Sequence, residues 1–454
     1  MSQFFRQSLL LYAVSIAGLT LSLLAFWPGF MEYDSFVQYG QAIGKLPLDN
    51  WHPVSMTILW RALISIYDGP QPMLVLQMFL YWAGFLYLAW HLLYHTSRLP
   101  LALSAIIVPF FPFLINFSGV IWKDTHLAIS LFWASLLLGL GKPSRSKLML
   151  GLAFIFYAIS VRHNGIAAAL PIMVLWSYQF VRLTGIHNKY SIPLVTLSIS
   201  LGYLLINLSF STFISFEKTS PLNAQLLNEI IFIQCQLDSK NLDIINNYYG
   251  ENLIEIDPKN RTKYLCNQVS LLAKTEDTNV IYDEKILESP DYNDPYIRTL
   301  WAQNVRSHPL SYLKYRLKVY ITFLRPLNYP EPYYVFLDGM DENPLPFKLN
   351  FKVLNPFELT KILNDYIAFT SSHIHLLFRP FFWLITLFIT TLFLLQKRRY
   401  STFLVALSGL LYLILYFPFL PAPDFRFCYY SIFAQIISIF IFLNQCFSLS
   451  SERI

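Results

Sequence analysis

The chain has 454 residues, of which 55% are hydrophobic, 17% aromatic and only 13% charged, and its mean hydropathy is +0.45. Because soluble domains carry roughly a quarter charged residues, this composition excludes an ordinary soluble protein and favours a polytopic membrane protein. The formal net charge of +6 does not indicate nucleic-acid binding, since the basic residues fall in short turns between apolar runs.

Apolar runs near the ~20 residues needed to cross a bilayer recur along the chain. They predict a mainly α-helical bundle of about ten transmembrane helices at roughly 9–27, 73–93, 99–117, 125–140, 148–161, 164–180, 192–210, 376–395, 403–419 and 427–447. Residues 1–210 form a predicted N-terminal transmembrane module with an outer loop at 28–72, and residues 376–454 form a C-terminal module.

The turns between these runs alternate in charge. If the N-terminus is cytoplasmic, every second turn is basic, as the positive-inside rule requires, and the C-terminus is cytoplasmic as well. The residues on the predicted inner side are Arg6, Arg98, Lys142, Arg145, Lys147, Arg182, Lys189, Lys397, Arg398, Arg399 and Arg453. The opposite turns hold the acids Asp34, Asp49, Asp124 and Asp424.

Residues 211–375, between the seventh and eighth predicted spans, are richer in Asn, Asp, Lys and Tyr. Helical patterns at 222–233 and 296–305 predict an α-rich extracytoplasmic domain, for which this length is sufficient. The segment 308–318 starts like a helix and mixes bases with aromatic residues. That composition suits either a helix along the lipid headgroups near an anionic ligand or an ordinary packed surface helix.

Two of the four cysteines, Cys235 and Cys266, fall in this predicted outer domain, while Cys428 and Cys446 lie in predicted spans. In an oxidising compartment Cys235 and Cys266 could form a disulfide. The sequence leaves the alternative of two free thiols open.

Familiar signatures of soluble enzymes are missing from the sequence. There is no Walker A loop, dinucleotide-binding glycine motif, Gly-x-Ser-x-Gly, His-Glu-x-x-His or Cys-x-x-Cys. ATP-driven transport, nicotinamide chemistry and zinc hydrolysis therefore lack support.

Polar residues instead collect in four predicted outward turns, and carboxylates beside hydrocarbon are costly enough to indicate a function. The first turn holds Glu32, Tyr33, Asp34, Gln38, Asp49, Trp51 and His52, the second Lys123 and Asp124, the third Arg162 and His163, and the last Asp424 and Arg426. Carboxylates can accept a proton from a hydroxyl or hold a divalent metal, and Lys and Arg can bind a phosphate. We expect these turns to form one cavity.

These residues carry a resemblance to a known family. An acid soon after the first span, followed by a long outer loop, resembles the GT-C glycosyltransferases, polytopic enzymes that include protein mannosyltransferases and lipid A aminoarabinose transferases. The matching stretches are Tyr33-Asp34-Ser35 with Gln38, Trp51-His52-Pro53, Trp122-Lys123-Asp124, Arg162-His163-Asn164 and Asp424-Phe425-Arg426-Phe427. The resemblance covers about residues 1–210 and 376–450 and points to a bacterial branch.

The resemblance implies inverting transfer of a sugar from a polyprenyl-phosphate donor to a lipid, glycan or protein acceptor. Asp34 would be the general base, and Asp124 would assist it or hold a divalent metal such as Mg²⁺ or Mn²⁺. Many members have two adjacent acids, whereas Tyr33 separates Glu32 from Asp34 here. The residues implied for substrate binding are Lys123, Arg162 and Arg426 at the leaving phosphate, together with His163, His52, Gln38 and Trp51.

Simpler interpretations exist for single residues: Asp34 and Asp124 could cap helices, Lys123 could reach the headgroups, and Arg426 could form a structural ion pair with Asp424. Other classes also stay open, namely an O-antigen polymerase or ligase, a polytopic transporter and a non-catalytic scaffold. The bacterial character of the motifs favours an inner membrane with the active face in the periplasm, acting on the cell envelope, such as lipopolysaccharide.

Overall fold

The computed structural model describes residues 3–49, 51–186, 190–213, 221–237, 296–329, 358–421 and 423–451, and the side chains of most of them. Within these ranges the fold is mainly α-helical, with one isolated parallel β-bridge between Phe30 and Val120. The predicted helical class is therefore confirmed.

The described α-helices are numbered in chain order. They are α1 (Gln3–Phe26), α2 (Tyr33–Ala42), α3 (Val54–Ile64), α4 (Gln71–Thr96), α5 (Leu99–Ile107), α6 (Pro112–Ser118), α7 (Lys123–Gly139), α8 (Arg145–Val161), α9 (Ile166–Thr184), α10 (Ser191–Phe213), α11 (Pro221–Gln236), α12 (Tyr296–Ser307), α13 (Pro309–Leu324), α14 (Leu359–His373), α15 (Pro380–Gln396), α16 (Tyr400–Ile414), α17 (Tyr416–Phe419) and α18 (Tyr429–Ser451). Short 3₁₀ turns occupy Val108–Phe110, His163–Gly165, His375–Phe378 and Phe425–Cys428.

Five helical stretches of the described chain are long and apolar enough to cross a membrane. They are Gln3–Phe26, Gln71–Thr96, Ile166–Thr184, Tyr400–Pro418 and Phe425–Ser448. All ten predicted spans overlap helices, but α7 and α8 have only 17 residues each. The membrane class of the chain agrees with these helices, while the count of ten crossings stays a prediction.

The third predicted span, 99–117, is not one continuous helix. It divides into Leu99–Phe110 and Pro112–Ser118, which meet at an angle of 54°. Pro109 and Pro112 account for the break, because proline lacks an amide hydrogen and its ring collides with the preceding helical turn. If this pair counts as one span, the candidates rise to six.

Two glycines let the loop after α1 meet the loop before α7. Gly29 adopts φ +123°, a conformation that disfavours other residues, and a Cβ atom at Gly119 would collide with the ring of Phe26. The amide of Phe30 donates to the carbonyl of Gly119 (3.1 Å), and the amide of Ile121 donates to the carbonyl of Phe30 (2.9 Å). This pairing brings the start of α2 beside the start of α7.

The helical patterns predicted at 222–233 and 296–305 are confirmed, since these residues lie in α11 and α12, and the segment 308–318, predicted to start like a helix, is helical from Pro309 onward in α13. A buried ion pair joins Glu229 of α11 to Arg316 of α13. Arg316 Nη1 also donates to the carbonyl of Leu420 (3.1 Å), and the hydroxyl of Tyr320 donates to the carbonyl of Leu413 (3.1 Å). Helix α13 is thereby fixed to the segment that leads into the last outward turn.

Of the two cysteines that could form a disulfide, Cys235 is disulfide-bonded, and Cys266 lies outside the described residues. Cys428 and Cys446 are free. Of the two alternatives that the sequence leaves open for Cys235, the disulfide is therefore the one observed.

Candidate functional site

The carboxylate of Asp34 lies between two basic side chains. Lys123 Nζ is 3.2 Å from Oδ2 of Asp34, and His52 Nε2 is 3.7 Å from Oδ1. The side chain of Asp34 keeps 25% of its surface exposed and that of Lys123 18%. The pair is therefore shielded but still accessible from outside the protein.

Local structure explains why these groups meet. Asp34 lies in the first turn of α2, and Lys123 is the first residue of α7. Beside Asp34, the hydroxyl of Ser35 donates to the carbonyl of Ile121 (2.7 Å), so a hydrogen bond reinforces the Phe30–Val120 bridge. The N-cap residue of α2 is Glu32, which forms no side-chain cap hydrogen bond, and Asp34 is the acid of the first turn, where its charge also suits the positive end of the helix dipole.

Asp124, next along α7, pairs with Arg162 of the third outward turn. Arg162 Nη1 donates to a carboxylate oxygen of Asp124 over 2.5 Å, and Arg162 Nε donates to Oδ1 of Asn164 over 2.9 Å. Only 3% of the Asp124 side chain and 11% of the Arg162 side chain are exposed. The guanidinium group also lies 4.7 Å above the ring centre of Phe427, a cation–π contact.

Arg426, in the last outward turn, reaches two acids. Its Nε is 2.8 Å from Oδ2 of Asp424, and its Nη1 is 3.5 Å from Oε2 of Glu32. Its guanidinium carbon lies 5.0 Å from the ring centre of Trp122. Arg426 also interacts electrostatically with Asp34 and Asp124. The expected Asp424–Arg426 pair exists, and through Glu32 it is joined to the start of α2.

Two tyrosines of the α16–α17 segment complete the site, and the sequence reasoning missed both. The ring of Tyr416 stacks on Phe427 and lies 6.0 Å from Arg162, and its hydroxyl donates to that of Tyr412 (2.9 Å). Both tyrosines are buried. Their spacing of four residues, near the end of an apolar helix, was the available signal in the sequence, but it is common among packed tyrosines.

The charges around Asp34 determine its ionisation. Burial alone would raise the pKa of Asp34, but the charge of Lys123 and the interactions with His52 outweigh it, and the pKa lies well below its ordinary value. Burial would likewise lower the pKa of His52, but Asp34 and Asp49 together raise it above its ordinary value. Asp34 is therefore a carboxylate at neutral pH.

The remaining predicted residues differ in how they contribute. Gln38 lies on α2, buried, and its Nε2 has no hydrogen-bond partner among the described residues. Trp51 contributes its backbone amide, which donates to Oδ1 of Asp49 (2.9 Å). His163 lies in the 3₁₀ turn His163–Gly165, and its side chain is outside the described part of the chain.

A metal role for the acids has no further structural support. Across the described ranges, no group of three His, Cys, Asp or Glu side chains is arranged to hold a metal ion. The acids face basic groups instead: Asp34 faces Lys123, Asp124 faces Arg162, and Glu32 faces Arg426. Any divalent ion would have to compete with these cations.

The four turns that the sequence predicts to face outward thus meet in one network of charged and aromatic side chains. Asp34 offers a partly exposed carboxylate on which Lys123 and Arg426 act electrostatically, and Arg162 pairs with Asp124, the residue next to Lys123. Such an arrangement of charges can hold an anionic group and accept a hydrogen bond from a neighbouring hydroxyl. Comparison with protein families, curated proteins and solved structures finds no match to this chain.

Proposed function

We propose that the chain is an integral membrane glycosyltransferase of the GT-C type. It would transfer a sugar from a polyprenyl-phosphate donor to a lipid, glycan or protein acceptor at the extracytoplasmic face. The observation that carries the proposal is the position of Asp34, whose carboxylate lies 3.2 Å from Lys123 and in the same network as Arg162 and Arg426. Such a transfer needs two components: a carboxylate that activates the nucleophile as a general base, and cations that bind the phosphate.

The depth of the site suits a lipid-linked phosphate. Helices α7 and α8 have 17 residues each, and at ~1.5 Å per residue each is about 25 Å long, about 5 Å less than a typical hydrocarbon core. Lys123 and Arg162 lie at the predicted outer ends of these helices. We infer that the cavity opens near the boundary between the outer headgroups and the acyl chains, within the N-inside topology of ten crossings.

The reaction would proceed by a single displacement. The acceptor hydroxyl, hydrogen-bonded to Asp34, forms a bond to the anomeric carbon as the bond from that carbon to the phosphate oxygen breaks on the opposite face. The configuration inverts, and the hydroxyl proton passes to Asp34. Polyprenyl phosphate leaves with one additional negative charge, which Lys123, Arg162 and Arg426 would stabilise.

Lys123 would have a double role. A lysine ammonium is a compact charge on a flexible stem, whereas the guanidinium groups of Arg162 and Arg426 lie against aromatic rings. The donor phosphate would draw Lys123 away from Asp34. Because Lys123 holds the pKa of Asp34 down, its departure makes Asp34 a stronger base once the donor is bound.

The decisive test is mass spectrometry of lipid-linked sugars and envelope glycans in cells with and without the gene. Loss of the gene should cause one polyprenyl-phosphate sugar to accumulate, and wild-type chain should reverse this. The Asp34→Asn variant at equal expression should not reverse the accumulation. Asp68→Asn, which changes an acid of the same outer loop that accepts from Tyr39, should restore the wild-type pattern. Full restoration by Asp34→Asn would refute the assignment.

A transporter is a second candidate, because of the broken helix pair Leu99–Phe110 and Pro112–Ser118. Asn116 lies in this pair, fully buried, and neither of its side-chain polar atoms has a hydrogen-bond partner in the described chain. Polar residues at broken spans are typical of transport pathways. In proteoliposomes, a transporter would move an unmodified solute, whereas a transferase would yield a new glycosidic product.

A further inference from the structure

Each ring nitrogen of His52 faces a carboxylate that lies between the first two predicted spans. Its Nδ1 lies 3.1 Å from each carboxylate oxygen of Asp49, and its Nε2 lies 3.7 Å from Oδ1 of Asp34. The imidazole is buried. The three side chains form a row in which His52 lies between Asp49 and Asp34, and Asp34 faces Lys123.

The turn that contains Asp49 fixes this row. Oδ1 of Asp49 accepts the backbone amides of Trp51 (2.9 Å) and His52 (2.7 Å), and Oδ2 accepts Gln41 Nε2 from α2 (2.9 Å). A carboxylate that accepts several N–H groups stays ionised. Nδ1 of His52 must therefore carry a hydrogen and donate it to Asp49.

The surroundings of the other ring nitrogen, Nε2, indicate whether the ring of His52 is charged. Nε2 of His52 is buried and makes no hydrogen bond in the described structure, and the carboxylate of Asp34 is the acid that faces it. A neutral imidazole would direct its lone pair at a negative oxygen, which is unfavourable. A protonated ring would instead direct an N–H group at Asp34 and gain a charge-assisted interaction.

We propose that His52, oriented by Asp49, is a positioning residue whose imidazolium form holds the Asp34 carboxylate ionised and aimed at the acceptor. This inference rests on the proposed function and assigns different roles to Lys123 and His52 within it. Lys123 can leave Asp34 for the donor phosphate, but His52 is locked to Asp49 and stays. Asp34 therefore keeps one positive neighbour throughout the reaction.

The charges that face this row agree with the proposal. Asp34 and Asp49 both face His52, and they raise its pKa more than burial lowers it. Burial alone would raise the pKa of Asp49. The hydrogen bonds that Asp49 accepts from His52 and from backbone amides outweigh burial, so its pKa lies below the ordinary value. The positive charges of Lys123 and Arg426 also lower the pKa of Asp34 and so stabilise its carboxylate. The protonated state of His52 should be lost only when the pH rises through its elevated pKa.

A test that needs no knowledge of the sugar uses nitrogen-15 NMR of histidine-labelled protein in nanodiscs. The His52 signals are assigned by their loss in His52→Gln. We expect His52 to titrate above its ordinary value of 6.5, with Nδ1 protonated throughout. Asp49→Asn and Asp34→Asn should each lower that pKa, and Asp68→Asn should leave it unchanged. A His52 pKa at or below 6.5, or no response to Asp49→Asn, would overturn the inference.

A second measurement connects the row to transfer. In His52→Gln and in Asp49→Asn, Asp34 loses positive support, so the acid side of the pH–rate profile should move to higher pH, with kcat reduced ~10-fold or more. Donor KM should change little, because the phosphate contacts remain. An unchanged acid limb in both folded variants contradicts the proposal. If no glycosyl transfer exists at all, the proposed function fails, while the NMR titration still decides the state of His52.

Discussion

The ammonium group of Lys123 lies 3.2 Å from Oδ2 of Asp34, although the first outer loop and the start of α7 are far apart in the sequence. A β-bridge between Phe30 and Val120 sets this approach, and two glycines allow the loops to come close enough. The contact leaves the carboxylate of Asp34 charged and partly exposed beside the ammonium group of Lys123.

Replacing Lys123 by Met should change the pH dependence of transfer. The pKa of Asp34 lies below its ordinary value of 3.8, so the wild-type carboxylate stays ionised in mild acid. Without Lys123 that pKa rises, and activity should be lost at a higher pH as the solution is acidified. The pH dependence of kcat/KM, measured at limiting donor, reports the free enzyme and so measures the shift. Lys142→Met, at the opposite predicted side of the membrane, serves as control, and coincident profiles would contradict the role of Lys123.

The pair between Asp124 and Arg162 should show strong coupling in a double-mutant cycle. Arg162→Met leaves an almost fully buried carboxylate without its cation, which should cost ~3–5 kcal/mol of stability. Asp124→Asn together with Arg162→Met should cost less than the sum of the single changes. Thermal unfolding in detergent gives the values. Simple additivity would mean that the pair is not coupled in solution.

Arg426→Lys should weaken donor binding by about tenfold, or ~1.4 kcal/mol. A lysine cannot reach Glu32 and Asp424 at once while lying against Trp122, as the planar guanidinium group does. Titration of nanodisc-embedded protein with a polyprenyl phosphate measures the affinity. Arg145→Lys is the matched exchange at the other predicted side of the bilayer and should bind normally. Equal affinity in both variants would remove Arg426 from the phosphate site.

The buried pair of Glu229 and Arg316 should be needed for the stability of the outer helices. Arg316→Met strands Glu229 and removes the bond to the carbonyl of Leu420, so a loss of ~3–5 kcal/mol is expected. Adding Glu229→Gln should recover part of it, because the stranded charge is gone. The melting temperatures of the two variants decide the matter. A double variant less stable than Arg316→Met alone would contradict this account.

The proposed topology predicts which residues a membrane-impermeant thiol reagent can reach. Tyr67→Cys, an exposed position in the loop before α4, should be labelled in intact cells, and Lys142→Cys should be labelled only after lysis. The free Cys428 and Cys446 set the background, which the wild-type chain measures. Labelling of Lys142→Cys in intact cells would reverse the orientation and move the site to the cytosolic face.

The sequence by itself determined the helical membrane class, the apolar helices that overlap the ten predicted spans, and the acids and bases at their ends, but it did not predict α2 and α3 within 28–72. These are local properties, because apolar run length and proline placement act within a single segment. The same local patterns correctly predicted helices at the positions of α11 and α12 and the helical start of α13, within 211–375. The prediction of a single helix failed at 99–117, where an apolar run of suitable length contains a 54° bend between Leu99–Phe110 and Pro112–Ser118.

Only the tertiary structure decided which charges meet. Nothing in a one-dimensional pattern states that Asp34 pairs with Lys123, that Asp49 orients His52, or that Tyr416 lies beside Arg162. Each pairing depends on how helices pack and on hydrogen bonds between distant loops, such as that from Ser35 to Ile121. Electrostatic interaction depends on separation in space and on exposure to water, and neither quantity is encoded by spacing along the chain.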